Sequence, residues 1–231
     1  ITGSGGTYSS SAACVVWTPV IRNCRILNSS SDAFSCGSGS YPLIEDCLIE
    51  GGVKCRTGNL YLRRCEINGR IKCEYGQLSI EQSAIVEKFN TPLDIDYSDC
   101  AINDSSITGS IYLDECGYFD VNGCTIRGGT SNDNITGDAK YINIQDCLIY
   151  DGRFSGVSCK AEQIHISNCT LWSNKGAGIR VSGIHDSFSD EQKYCIASIR
   201  NCLIAENGYH GRGGGINCSI SDLTIDNCRI I

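Results

Sequence analysis

Apolar residues alternate with polar ones in short runs along the whole chain, as in Leu60 and Leu62, Leu78 and Ile80, Phe119 and Val121, Ile142 and Ile144, Ile164 and Ile166, and Leu223 and Ile225. A period of two is the mark of a β-strand with one buried face. Each run leads into a short word with the pattern apolar-x-x-Cys-x-apolar. It reads "IRNCRI" at 21–26, "IEDCLI" at 44–49, "IQDCLI" at 144–149, "IRNCLI" at 199–204 and "IDNCRI" at 225–230. Aligning on the word puts its central position at Cys24, Cys47, Cys65, Ser83, Cys100, Cys124, Cys147, Cys169, Cys202 and Cys228. The spacing averages about 23 residues, which is the signature of a repeat architecture.

In seven of the ten repeats the alternating strand ends at Asn or Asp: Asn23, Asp46, Asp99, Asp146, Asn168, Asn201 and Asn227. These residues tolerate the left-handed backbone that a sharp corner needs. Cys-x-apolar then opens a second strand. After a Gly/Ser/Asn-rich loop of variable length comes a third, written "GVKC" (52–55), "RIKC" (70–73), "GVSC" (156–159) and "GINC" (215–218). Three short strands per circuit predict an all-β fold, a right-handed parallel β-helix, or solenoid, of about ten turns, forming a single β-helix domain over 1–231. No stretch carries a helical period, so no capping helix is predicted.

The strings "TPVIRNCRI" (18–26), "YPLIEDCLI" (41–49) and "NGYHGRGGGINC" (207–218) resemble the Asn-Cys-bearing repeats of right-handed parallel β-helix proteins, secreted or displayed at cell surfaces. The resemblance covers nearly the whole chain. It implies the fold. It leaves function open among adhesins, appendages, phage spikes and polysaccharide-degrading enzymes.

Seventeen cysteines in 231 residues point to an oxidising compartment. Zinc does not account for them, because no two lie closer than seven residues and Cys-x2-4-Cys pairs are absent. Two readings remain open. In one, the cysteines are reduced thiols filling tight interior slots. In the other, each turn carries a disulfide. Turns six and nine place Leu113 and Val181 where the third-strand cysteine is expected and carry Cys116 and Cys195 a few residues on. That bookkeeping gives the pairs Cys14/Cys24, Cys36/Cys47, Cys55/Cys65, Cys116/Cys124, Cys159/Cys169, Cys195/Cys202 and Cys218/Cys228, with Cys73 and Cys100 a further candidate pair. The bridge requires the coil to narrow, since linked Cα atoms lie within about 7 Å.

A net charge of −7 argues against nucleic acid as a partner. No apolar run approaches the length of a membrane span. No cofactor motif or metal site is recognisable. Arg22, Glu45, Arg63 and Glu81, one residue past the first apolar position of the word, predict an alternating ion-pair ladder on neighbouring turns. Sequons at Asn28, Asn103 and Asn134 are read as loop positions open to glycosylation.

The most site-like stretches are the long loops of turns seven to nine, "YDGRFSG" (150–156), "WSNKGAG" (172–178) and "ENGYHGRGGG" (206–215). They bring Tyr150 and Trp172 onto adjacent turns beside Arg153, Lys175, Glu206, Tyr209, His210 and Arg212. Aromatics flanked by polar groups are the usual means of holding sugar rings. An acidic patch of Asp94, Asp96 and Asp114 near Lys54, Arg56 and Lys72 is the nearest thing to a carboxylate pair. No catalytic signature accompanies it, so an enzyme, if any, is read as a polysaccharide lyase or glycoside hydrolase. The expected function is an extracellular or cell-surface structural protein, a rigid rod serving as a surface, filament or adhesive module. Its expected partners are copies of itself end to end, or the rest of a longer repeat protein, and glycans. The alternative is a carbohydrate-binding or carbohydrate-cleaving protein using the loops of turns seven to nine.

Overall fold

In a computed structural model, residues 14–15, 18–27, 32–86, 91–129, 132–185, 192–208 and 214–231 are described. All their regular structure is β. The strands stack in register into three parallel sheets, one strand of each per turn.

Sheet 1 holds the "GVKC" strands, such as Gly52–Arg56, Ile71–Glu74 and Leu93–Asp96. Sheet 2 holds the alternating strands leading into the word, such as Asn59–Arg63, Gln77–Glu81 and Asp99–Asn103. Sheet 3 holds the Cys-x-apolar strands, ten of them from Arg25–Ile26 to Arg229–Ile230. Ten stacked strands enclose about nine complete circuits. In turns six to eight sheets 1 and 2 fuse, because single strands Ile111–Asn122, Ile135–Gln145 and Val157–Ser167 bend through both. The insertion after turn nine's first strand forms a small antiparallel hairpin, Ile184–His185 against Gln192–Lys193.

Period-two patterning sends every second side chain inward, and parallel register stacks like on like. In sheet 3 the inward column runs Ile49, Ile67, Ile85, Ile107, Ile126, Ile149, Leu171 and Ile204, each fully buried. β-Branched side chains suit this arrangement because their restricted rotamers already match the pleated surface.

The corner between sheets 2 and 3 is built the same way ten times. One residue per turn takes the left-handed conformation: Asn23, Asp46, Arg64, Gln82, Asp104, Gly123, Asp146, Asn168, Asn201 and Asn227. The next residue turns its side chain back and donates to the backbone carbonyl two residues earlier. Thus Cys24 bonds Arg22 O, Cys47 bonds Glu45 O, Cys65 bonds Arg63 O and Cys124 bonds Asn122 O. Cys147 bonds Gln145 O, Cys169 bonds Ser167 O, Cys202 bonds Arg200 O and Cys228 bonds Asp226 O. Ser83 and Ser105 complete the set on Glu81 O and Asn103 O at 2.8 and 2.7 Å.

Two corrections to the sequence reading follow. Turn five pivots at Asp104 and Ser105, five residues later than the word alignment places it. Asp99 is instead the first residue of a sheet 2 strand, and Cys100 pairs in register with Leu78 and Phe119 as an inward residue of that strand. An alignment that rewards cysteine selects Cys100, whereas the corner accepts serine equally well.

The second correction concerns disulfides. The fourteen cysteines from Cys47 to Cys228 are unbridged thiols. The pairs Cys36/Cys47, Cys55/Cys65, Cys116/Cys124, Cys159/Cys169, Cys195/Cys202 and Cys218/Cys228 are therefore not formed, nor is Cys73/Cys100. In the pair Cys14/Cys24, the Cys14 side chain lies outside the described residues. The corner thiols are turned back onto the backbone: each donates to the carbonyl two residues earlier, which from Glu45 to Asp226 also accepts a backbone N–H from the turn before. The cysteines also associate along the coil and not across it, since Cys36, Cys55 and Cys73 stack in register on successive turns. The bond to Cys36 is the main reason the Cys55 thiol is pushed up to about 12.

Candidate functional site

The loops of turns seven to nine are organised by three asparagines inside the coil. Asn134 and Asn174 are buried, and Asn207 stacks beneath them. The Asn134 Nδ2 donates to Asn174 Oδ1 at 3.1 Å, and the Asn174 Nδ2 donates to Asn207 Oδ1 at 2.9 Å. The same amides bond the sheet 3 carbonyls of Tyr150, Ile149 and Leu171. The Gly152 N–H donates to Asn174 Oδ1 and the Asn174 N–H to Asn207 Oδ1. A primary amide has two donors and an accepting oxygen, so one ladder satisfies the backbone of three successive bends.

This ladder overturns one glycosylation candidate. Asn134 is fully buried and its amide nitrogen is bonded, so a glycan has no access to it. Asn103 sits at the end of the strand Asp99–Asn103, half-buried, and not in a loop as expected. Asn28 lies outside the described residues.

Among the sugar-site candidates, Tyr150 and Trp172 occupy adjacent turns in register, followed by Ala205. Trp172 is exposed and Tyr150 half-buried. The Arg153 guanidinium lies 5.8 Å from the Phe154 ring. Lys175 and Glu206 are exposed, and Glu206 takes the left-handed conformation at its bend. Tyr209, His210 and Arg212 lie outside the described residues.

Asp94 and Asp96 of the acidic patch join an ion-pair network, and Asp114 stands in register beside Asp96 on the next turn. Lys72 Nζ reaches Glu74 at 3.0 Å, Asp96 at 3.0 Å and Asp94 at 3.4 Å, while Arg56 Nε meets Glu74 at 2.6 Å. Arg70 also pairs with Asp94. The Arg56 bond, aided by Lys72 and opposed by burial, draws the Glu74 carboxyl down to about 2. Held this way, the Glu74 carboxylate stays ionised at neutral pH. The second charged column is likewise paired: Arg22 Nε bonds Glu45 at 2.6 Å, and Arg63 bridges Glu45 and Glu81. Arg64 adds a fork to Glu45 and Asp46, both 2.7 Å away.

Another set of side chains, which sequence reasoning did not single out, comes together on the outer face of sheet 2 in turns six to nine. A groove of 460 Å³ is lined by Tyr118, Asp120, Tyr141, Asn143, Gln163 and His165, with Ile196 and Ser198 at its far end. Register makes two columns, Tyr118–Tyr141–Gln163–Ile196 and Asp120–Asn143–His165–Ser198. The tyrosine rings stack at 4.9 Å with their planes 15° apart. The signal was present as outward positions of the alternation, but only the register shows which of them are neighbours.

Among the described residues, no group of three or more His, Cys, Asp or Glu side chains is arranged to hold a metal ion. No helix of the described residues is long and apolar enough to cross a membrane. The right-handed beta helix region family matches residues 6–186 and 94–231, together nearly the whole chain. The chain belongs to the right-handed β-helix family. No curated relative and no solved structure matches it. Membership of this β-helix family accounts for the three sheets and the repeated corner.

Proposed function

We propose that the protein is an extracellular structural module, a rigid β-helical rod that presents its outer columns at a surface or within a filament. The observation that carries this reading is the unbroken in-register stacking of sheet 3 through ten strands. Every turn is bonded to the next through backbone and buried side chains, so the coil resists bending as one body. The ion-pair networks support the same reading, because they spend the charged side chains on neighbouring turns.

End-to-end association, with a second copy or with the rest of a longer repeat protein, belongs to the same proposal. Negative-stain electron microscopy of the purified chain tests the proposal. Filaments with an axial repeat of about 48 Å, ten strand spacings, are expected. Single short rods at every concentration remove end-to-end association, and antibody labelling of permeabilised but not intact source cells removes the extracellular assignment.

A further inference from the structure

We propose that Tyr75 and Tyr97 form a modification site, at which a peroxide-driven oxidation joins the two rings into a dityrosine bridge between turns four and five. This goes beyond the rod reading and does not depend on it.

The site begins in the backbone. Tyr75 and Tyr97 each stand at the bend between a sheet 1 strand and the sheet 2 strand that follows, with φ of 55° and 49°. Bulky side chains rarely take positive φ, yet here two do so on adjacent turns. Ladder bonds hold them: the Tyr75 N–H donates to Asp96 O at 3.0 Å, and the Tyr97 N–H to Asp114 O at 2.8 Å. Matched bends one strand spacing apart send both side chains off the coil in the same direction. The rings stack with centroids 5.0 Å apart and planes 9° apart, and the residues are 58% and 45% exposed. Each phenol is thus open to an oxidant and already beside its partner. The χ2 torsion of tyrosine is broad, so the rings can turn from face to face to edge to edge without moving the backbone.

The chemistry balances with one peroxide. A haem peroxidase using hydrogen peroxide removes one electron and one proton from each phenol. The two phenoxyl radicals join by a carbon–carbon bond between Cε atoms ortho to the oxygens. The two ring hydrogens at the joined carbons then move to the oxygens and restore the phenols. The pair has lost two electrons and two protons in all, which reduce one hydrogen peroxide to two waters. Each ring meets its partner at an effective concentration on the order of millimolar or more, so joining within the chain outpaces joining between dilute chains.

Charge picks this pair over the other stacked pair, Tyr118 and Tyr141. The Glu115 carboxylate, aided by burial and by Asp114, pushes the Tyr97 phenol up, which marks a negative potential at that ring. A negative potential favours electron loss. At Tyr141 the Lys140 ammonium lies 5.2 Å from the ring centre and opposes it.

Treatment of the dilute purified chain with a haem peroxidase and hydrogen peroxide provides the test, after iodoacetamide has blocked its accessible thiols. Blue dityrosine emission is expected from a band that still runs as a monomer on a denaturing gel. Mass mapping of the digest is expected to find the Tyr75 and Tyr97 peptides joined with the loss of two hydrogens. Tyr75→Phe and Tyr97→Phe keep a ring in the stack but remove a phenol, and each is expected to abolish most of the monomer's emission. Tyr118→Phe is expected to retain most of it. An absence of dityrosine in the monomer overturns the proposal, as does a link that forms only between chains. So does a link mapped to Tyr118 and Tyr141 while Tyr75 and Tyr97 stay separate. The mapping uses the wild-type chain, so it decides the matter even where a variant fails to fold.

Discussion

The Cys147 thiol donates to the Gln145 carbonyl at 2.9 Å, and in doing so it closes the bend opened by the left-handed Asp146. The same three-residue device recurs at every corner between sheets 2 and 3, with serine in the donor position at Ser83 and Ser105. The donor, not the sulfur, is what the corner requires. Cys147→Ser is expected to keep the bond, whereas Cys147→Ala loses it, at about 0.5–1.5 kcal/mol beyond the lost packing, and leaves the carbonyl to the Gly123 N–H alone. Urea unfolding midpoints of the two variants, compared with the wild type, check the order. An alanine variant as stable as the serine one would remove the donor role.

Thiol titration follows from the same geometry. With Ellman's reagent and no reductant, the fourteen cysteines from Cys47 to Cys228 are expected to react once the chain is unfolded in denaturant. In the folded protein, those below 5% exposure are expected to stay silent. A shortfall in pairs after unfolding would mean that bridges form after all.

Alkaline pH is expected to weaken the fold. Burial pushes the Cys116 thiol from 9.0 up to about 12 and Cys195 up to about 11. A thiol held protonated in the folded state and free to ionise when unfolded stabilises fully below pH 9. That stabilisation is lost as pH rises through the folded values. Thermal midpoints should therefore fall between pH 9 and 11, and Cys195→Ala should flatten part of the fall.

Glu74 predicts the opposite limb. Its carboxyl lies at about 2 in the fold against an ordinary 4.5, chiefly because of Arg56. Its contribution is present above pH 4.5 and is lost as pH falls towards 2. The exposed Arg56 partner is screened by solvent, so about 1 kcal/mol is at stake. Glu74→Gln should cost this amount at pH 7 and little at pH 2.5, as read by urea midpoints at the two values.

Asn174→Ala should be the most damaging single change outside the apolar core. It breaks two donated and two accepted side-chain bonds, linking Ile149, Asn207, Asn134 and Gly152. A loss of about 3–5 kcal/mol is expected, as for other broken buried networks. A loss below about 1 kcal/mol would show that water substitutes for the amide. Mass spectrometry of protein from a glycosylating host should likewise find Asn134 unmodified.

The repeated word determined the fold because its information is local. Alternation in pairs such as Leu60 and Leu62 names the buried face, a residue tolerant of positive φ names the bend, and a period near 23 stacks one turn on the next. Two bends show where local information stops. Arg64 and Gln82 adopt the left-handed conformation without the Asn or Asp that announces it elsewhere, because the ladder bonds on either side outweigh their intrinsic preference. Ser105 lacks the cysteine that marks the word, so the word's pattern points to Cys100 although the bend lies at Asp104 and Ser105.

What only the tertiary structure decided is which residues become neighbours across turns. Loop insertions of unequal length move Asn134 and Asn174, forty positions apart, into one hydrogen bond. They set Tyr118 on Tyr141, and they leave each corner cysteine facing a carbonyl instead of the same-turn cysteine that counting suggests. Spacing along the chain fixes the circuit. Register between circuits depends on the length of every loop, and it is the register that chooses hydrogen-bond partners, ion pairs and the groove.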